Sequence, residues 1–71
     1  MFTKMHNVML FDIIRWKGVD YVVNEIVTPR DGVGLGVHSV KGRKPNVIVG
    51  HRSHDIEIIR RNNDGNKNES L

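Results

Sequence analysis

Residues 12–27 read Asp-Ile-Ile-Arg-Trp-Lys-Gly-Val-Asp-Tyr-Val-Val-Asn-Glu-Ile-Val, and this stretch decides the fold class of the chain. Two runs rich in β-branched and aromatic residues flank Lys17-Gly18, which is a turn signal typical of a β-hairpin. Elsewhere no helical periodicity is sustained over the length that a helix needs. The sequence therefore predicts an all-β protein built around this hairpin.

Five segments are predicted to be strands. They cover residues 8–16, 19–28, 33–40, 47–51 and 56–60. Pro29 and Gly32 mark the break after the second strand. A basic turn at residues 41–46 separates the third strand from the fourth, and a single helical turn at residues 52–55 precedes the last. This pattern favours a small five-stranded SH3-like, half-open barrel, with an OB-like barrel as the second choice.

Alternation along the hairpin predicts which side chains face inward. The expected core set is Ile14, Trp16, Tyr21 and Val23. Trp16 and Tyr21 belong to it because so small a barrel has few other large side chains to fill its interior. The alternation fails later in the second strand, and a β-bulge near Asn24 or Glu25 would restore it. Both faces of the first strand are partly apolar, which indicates either a bend through a bulge near Asp12 or a barrel in which one end of the strand is covered on both sides.

Length and charge predict one folded unit and a tail. The chain has 71 residues, which is enough for one domain. Residues 1–61 carry ten Lys and Arg against six Asp and Glu, whereas residues 62–71 are polar with a net charge of −1. The second segment has too little apolar area to offset the entropy of ordering. We therefore expect a basic domain at residues 1–61 and a disordered tail at residues 62–71.

The cysteine count and the apolar segments bear on the cellular setting. The chain has no cysteine, which removes disulfides and thiolate zinc sites. The apolar segment at residues 8–11 is far shorter than a signal-peptide core or a membrane span. We expect a cytoplasmic protein without a membrane partner.

Part of the hairpin resembles a known family. Residues 12–18, Asp-Ile-Ile-Arg-Trp-Lys-Gly, and the following Tyr21-Val22-Val23 look like the first hairpin of SH3-like domains of the KOW type. The resemblance covers about a third of the chain, and residues 32–37 loosely echo the family's second glycine-containing stretch. The chain departs from the family pattern at Phe11, where the family usually has glycine. The resemblance implies an SH3-like fold and, as in that family, binding to RNA, DNA, or transcription and ribosomal proteins.

Three other site types have weaker support. The glycines of residues 32–36 are not followed by Gly-Lys-Ser/Thr or by a helix, so they indicate strand bending or close backbone approach rather than a phosphate loop. His51, His54 and Asp55 are zinc-ligand types, and His38 lies on another predicted strand, but these residues are loosely spaced and too few for a convincing site. No serine lies in a nucleophile motif, and no paired carboxylates stand in an apolar setting. We expect no metal, no cofactor, no small-molecule substrate and no enzymatic activity.

The basic residues are the best functional candidates. The side chains expected to contact phosphates are Arg15, Lys17, Lys41, Arg43, Lys44 and Arg52. A mobile basic loop contributes through counterion release, and an exposed aromatic beside cations can stack on a base. The sequence thus favours a nucleic-acid-binding module, for RNA or DNA, with low sequence specificity. The family resemblance adds a transcription or translation context.

A protein-interaction module is the alternative. A compact chain without a catalytic set also suits a small regulator or inhibitor, of the kind that a phage or mobile element encodes, docking on a larger intracellular machine through a barrel edge. The basic loop would then meet an acidic protein patch.

Overall fold

The computed structural model describes residues 1–61, and the predicted tail at residues 62–71 lies outside them. The described part contains β1 (Phe2–Lys4), a 3-10 helix (Met5–Asn7), β2 (Ile13–Trp16), β3 (Val19–Val27), β4 (Gly32–Ser39), β5 (Pro45–His51) and β6 (Asp55–Arg60). The all-β prediction is confirmed. No helix in these residues has the length and apolar character needed to cross a membrane.

The strands form one antiparallel sheet in the order β1-β6-β2-β3-β4-β5. Strands β2 to β5 follow one another as a meander, and β6 returns to pair with β2. The predicted number of five strands is wrong, because β1 pairs with β6 and adds a sixth. β1 and β5 are the two edge strands, so within residues 1–61 the sheet is not closed into a barrel.

The segment that follows β1 contacts β5 and the β5–β6 turn at one corner of the sheet. Met5 N donates to His54 O at 2.8 Å, and His6 N donates to Arg52 O at 3.1 Å. A Cβ atom on Gly50 would lie 2.7 Å from the Met5 sulfur, so the methionine side chain occupies the space that a larger residue would need. The sheet is therefore strongly curled around its apolar face.

The hairpin prediction is confirmed in detail. Trp16 pairs with Val19, which leaves Lys17 and Gly18 as a two-residue turn. Their φ angles are +51° and +80°, and two positive φ values are the signature of a type I′ turn. Glycine adopts this conformation readily, which is why the turn signal in the sequence was informative.

The first predicted strand is too long. β2 begins at Ile13, because Phe11 has a φ of +70°, which ends the extended backbone. Asp12 is fully buried, and its carboxylate accepts hydrogen bonds from Met9 N at 2.9 Å and from Arg61 Nη1 at 3.0 Å. Residues 8–12 are therefore a loop that is tied together by a buried acid, instead of a strand.

The predicted helical turn at residues 52–55 is also wrong. Asp55 already belongs to β6, and the preceding residues form a turn without a helix. His51 holds that turn, because its carbonyl accepts from His54 N at 2.9 Å and its ring Nδ1 accepts from Ser53 N at 3.1 Å. These bonds reverse the chain within three residues.

The predicted bulge in the second hairpin strand is confirmed. The register between β3 and β4 shifts between Val23 and Glu25. The extra residue lets Val23 before the bulge and Ile26 after it both turn toward the apolar face, where Val23 is fully buried and Ile26 partly so.

The apolar face of the curled sheet forms the core. Its buried side chains are Met5, Val8, Ile14, Val23, Val33, Leu35, Val37, Ile48, Ile56 and Ile58. Ile14 and Val23 are thus where the alternation predicted them. Trp16 and Tyr21 pack against this core but remain only partly buried, so they form its margin rather than its centre.

Two glycines of β4 lie under side chains of β3. A Cβ on Gly34 would lie 2.8 Å from Val27 Cγ2, and one on Gly36 would lie 3.0 Å from Glu25 Cβ. The close approach that the glycine run predicted is therefore present, and it explains these positions without a phosphate loop.

Candidate nucleic-acid interface

Two turns that carry most of the predicted cations lie side by side. The β2–β3 turn contains Lys17, and the β4–β5 turn spans residues 40–44. They are joined because Tyr21 pairs with Ser39 and because Val40 N donates to Asp20 O at 2.9 Å. The cations on these turns are Lys17, Lys41, Arg43 and Lys44, and we refer to them as the basic end.

The β4–β5 turn has a fixed backbone. Ser39, which is 7% exposed, donates from its hydroxyl to Lys41 O at 2.6 Å and accepts from Lys44 N at 2.8 Å. Its own N–H donates to Lys44 O at 2.8 Å. One small side chain therefore closes the turn that carries Lys41 and Lys44.

Arg15 lies beside the basic end but is already engaged. Its Nε donates to Asp20 Oδ1 at 2.8 Å, and its Nη2 lies 3.4 Å from Asp20 Oδ2. The hydrogen bond with Asp20, and then the charge of that carboxylate, raise the pKa of Arg15 above its ordinary value. The same hydrogen bond lowers the pKa of Asp20. In contrast, none of the four cations of the basic end forms an ion pair with an acid in residues 1–61.

Two shallow depressions lie between the turns. The first, of about 440 Å³, is lined by residues that include Arg15, Asp20 and Val40. The second, of about 400 Å³, is lined by residues that include Tyr21, Lys44, Pro45 and Asn46. Three residues line both depressions: Val19, Ser39 and Lys41. The two depressions are therefore neighbours that share a wall.

The aromatic residues of the hairpin differ in their availability. Trp16 is partly buried, and its ring lies 6.1 Å from the ring of His54 at an angle of 59°. Tyr21 lines the second depression, and its hydroxyl accepts a hydrogen bond from Asn46 Nδ2 at 3.2 Å. Tyr21 is thus the aromatic that faces the candidate interface, whereas Trp16 packs at the corner of the sheet.

Arg52 is separated from the other predicted site residues. It follows the last residue of β5, whereas Lys44 precedes the first, and a strand of this length spans about 20 Å. Arg52 N donates to Asp31 O at 2.8 Å, and Arg52 lines a separate depression of about 450 Å³ with His6 and Ser53. The structure brings together five of the six predicted residues, and Arg52 is the exception.

The predicted zinc-ligand types have other contacts. Asp55 forms an ion pair with Lys4 at 2.7 Å, and this contact lowers the pKa of Asp55. The His51 ring is hydrogen-bonded to Ser53 at 2.7 Å, and the His38 ring to Asn24 at 3.0 Å. Within residues 1–61 no three His, Cys, Asp or Glu side chains are close enough to hold a metal ion.

Sequence reasoning missed the residues that shape the interface. Val19 and Val40 line the depressions although both are valines of a β-rich segment, and nothing in their spacing sets them apart. Asn46 was placed in the basic turn at residues 41–46 but was not predicted as a site residue. Ser39 had a recognisable signal, because a serine at the start of a turn often hydrogen-bonds the backbone of that turn.

Comparison of the sequence with models of known protein families and with curated protein sequences found no match.

Proposed function

We propose that this protein is a non-enzymatic module that binds RNA or DNA through phosphate contacts at the basic end. The observation that carries the proposal is the position of four cations on two adjoining turns, with no acidic partner in residues 1–61. Cations without partners release counterions when they meet a phosphate backbone, and this release drives nucleic-acid binding at moderate salt.

The two remaining predicted residues have smaller parts in this proposal. Arg15 contributes less net charge than the basic end, because Asp20 neutralises it. Arg52 contacts a nucleic acid only if the bound nucleic acid extends along β5. Phosphate contacts carry no sequence information, so the proposal implies low sequence specificity.

The finer fold assignment belongs to the same proposal. We assign the curled sheet to the half-open SH3-like barrels of the KOW type, with β1 added at one edge. The packing of Met5, which follows edge strand β1, over Gly50 of the opposite edge strand β5 supports a half-open barrel. The φ of +70° at Phe11 supports the family assignment, because a left-handed backbone is what glycine, the usual residue there in that family, adopts without strain. Such domains suggest a transcription or translation context.

A salt titration with matched variants tests the proposal. Binding of the full chain to fluorescent RNA and DNA oligonucleotides should weaken with salt, with a slope of log affinity against log salt of roughly −3 for four phosphate contacts. Lys41→Glu/Lys44→Glu should reduce affinity at least about tenfold and make the slope shallower. The control, Arg30→Glu/Arg60→Glu, changes the net charge equally at exposed positions away from the basic end.

Equal losses in the two variants would mean that only net charge matters, and the basic end would not be a site. Absence of wild-type binding to any nucleic acid at low salt would remove the proposal entirely.

A second candidate function, protein interaction, is favoured by one specific observation. Met9, Leu10 and Phe11 are consecutive large apolar side chains that are 55%, 44% and 56% exposed. We refer to these three residues as the apolar loop. An exposed apolar segment of this kind fits a pocket on a protein partner better than a phosphate backbone.

Affinity purification from cell extract, with one half treated with nuclease, separates the two candidates. A protein partner should survive nuclease and be lost with Leu10→Ser/Phe11→Gly, while the basic-end variant retains it. Loss of all co-purifying material after nuclease treatment would contradict the second candidate.

A further inference from the structure

The two depressions of the basic end differ from a purely electrostatic site, because their walls include apolar side chains. Val19 is 42% exposed and Val40 is 48% exposed. Tyr21 and Pro45 extend this apolar surface in the second depression. A surface that contacts only the phosphates of a duplex needs cations, and apolar side chains contribute nothing to those contacts.

Apolar and aromatic surface is what an unpaired base requires. In a duplex the base faces are stacked and inaccessible, whereas in a single strand they can lie on protein side chains. The depressions are open and of similar size, about 440 and 400 Å³. Each therefore has room for one planar base with part of its sugar in solvent.

The cations are arranged around this surface in a way that matches a backbone. Lys41 lines both depressions, whereas Lys44 lines only the second. Asp20 in the first depression is neutralised by Arg15 at 2.8 Å, so its carboxylate does not oppose a phosphate near Lys41. A phosphate at Lys41 would lie between two bases, and the next phosphate would lie near Lys44.

We infer that the basic end takes a single-stranded nucleic acid, with two consecutive bases in the two depressions and the phosphate between them at Lys41. This inference rests on the proposed function and deepens it, because it excludes the duplex as the preferred ligand. The Tyr21 hydroxyl and the Asn46 amide, 3.2 Å apart, supply polar groups at the rim of the second depression. They are placed to contact a base edge.

The test compares four ligands of eight nucleotides or base pairs: single-stranded oligouridylate, single-stranded oligothymidylate, an abasic DNA strand and a DNA duplex. Binding of the full chain is measured by fluorescence anisotropy at one salt concentration. The wild type should bind the two base-containing single strands at least about tenfold more tightly than the abasic strand, since an abasic strand has no base to stack on the protein. It should also prefer them to the duplex.

Val19→Ser/Val40→Ser removes apolar surface and leaves every charge in place. It should lower affinity for the single strands about fivefold or more and leave the abasic strand unaffected. The matched control is Val47→Ser/Val49→Ser, which alters two valines of β5 that are 68% and 69% exposed outside the depressions. Thermal melting establishes that each variant is folded.

The outcomes separate the inference from the proposed function. Equal affinity for base-containing and abasic strands, or a stronger preference for duplex, would overturn the inference while phosphate binding stands. An unchanged affinity in Val19→Ser/Val40→Ser, with a folded protein, would do the same. Absence of binding to all four ligands at low salt would overturn both.

Discussion

The basic end and the apolar loop lie at opposite ends of β2. The basic end exposes cations and the apolar loop exposes apolar side chains, but the two loops are stabilised in a similar way. Each is held by a buried polar side chain, Ser39 at the basic end and Asp12 at the apolar loop. These two are the buried polar side chains of residues 1–61. Each binds backbone groups of its own loop, so a polar group is buried where it fixes a loop instead of in the middle of the core.

The two regions differ in how strongly the free energy of folding opposes the exposure of their side chains. At the basic end, solvated cations stand on turns and need no desolvation. Both regions contain non-glycine residues with a left-handed backbone, Phe11 in the apolar loop and Lys17 and Arg43 at the basic end. The apolar loop differs because it also exposes three consecutive large apolar side chains to water. Exposing the side chains of the basic end therefore costs little free energy of folding, whereas exposing those of the apolar loop is unfavourable.

The largest expected effect separates binding from stability at the basic end. Lys41→Glu/Arg43→Glu/Lys44→Glu should weaken binding to RNA and DNA more than about 100-fold at moderate salt, because attractive phosphate contacts become repulsive. Its melting temperature should stay within a few degrees of wild type, since these side chains are exposed. Anisotropy and thermal denaturation measure the two quantities. A fall of many degrees in the melting temperature would show that these side chains of the turn contribute to the stability of the fold.

Asp12→Ala should have the largest effect on stability, because it removes the clamp of the apolar loop. It leaves Arg61 without its carboxylate partner and Met9 N without its acceptor. Removing one partner of a buried ion pair costs several kcal/mol. Arg61 is 22% exposed and can be rehydrated, so we expect a loss of about 3 kcal/mol. Denaturant unfolding gives the value, and a loss below about 1 kcal/mol would contradict the clamp.

The sequence predicted the parts of this fold that depend on local signals. The hairpin turn at Lys17 and Gly18 and the bulge after Val23 followed from turn chemistry and from a break in alternation. The segment at residues 8–12 was misread, because its apolar residues suit a strand, and only the tertiary contact between Asp12 and Arg61 makes it a loop. β1 was missed because a three-residue strand depends entirely on its pairing with β6.

The residues of the candidate site also divide into those that the sequence predicted and those that it did not. Basic residues close together in sequence were found directly, and the pairing of Tyr21 with Ser39 then brought the two turns together. Arg52 was included although the predicted strand at residues 47–51 already separated it from the basic turn. The separation is larger in the structure, because Pro45 and Asn46 also pair with β4. The apolar walls formed by Val19 and Val40 were missed, because an exposed valine and a buried valine look alike in a sequence.

Ser39→Ala tests the clamp of the basic end and should have a smaller effect than Asp12→Ala. The hydroxyl makes two hydrogen bonds with neutral backbone groups, and these contribute about 1–2 kcal/mol in total. Nucleic-acid affinity should also fall several-fold, because Lys41 and Lys44 lose their fixed backbone. Ser39→Thr retains the hydroxyl and serves as the comparison. Unchanged affinity in a folded Ser39→Ala would show that the cations act without a defined turn geometry.

The smallest expected effect has the opposite sign. Phe11→Gly should stabilise the protein, because glycine adopts a φ of +70° without the clash that a Cβ atom causes. Relief of about 1 kcal/mol corresponds to a rise in melting temperature of about 5 °C for a domain of this size. Leu10→Gly is the matched control: it removes a neighbouring exposed side chain at a position without positive φ, so it should lower the melting temperature slightly. A similar fall in both variants would mean that Phe11 stabilises the fold by packing. A rise in Phe11→Gly alone would mean that the phenylalanine is held at a cost to stability, and such a cost points to a contact with a partner.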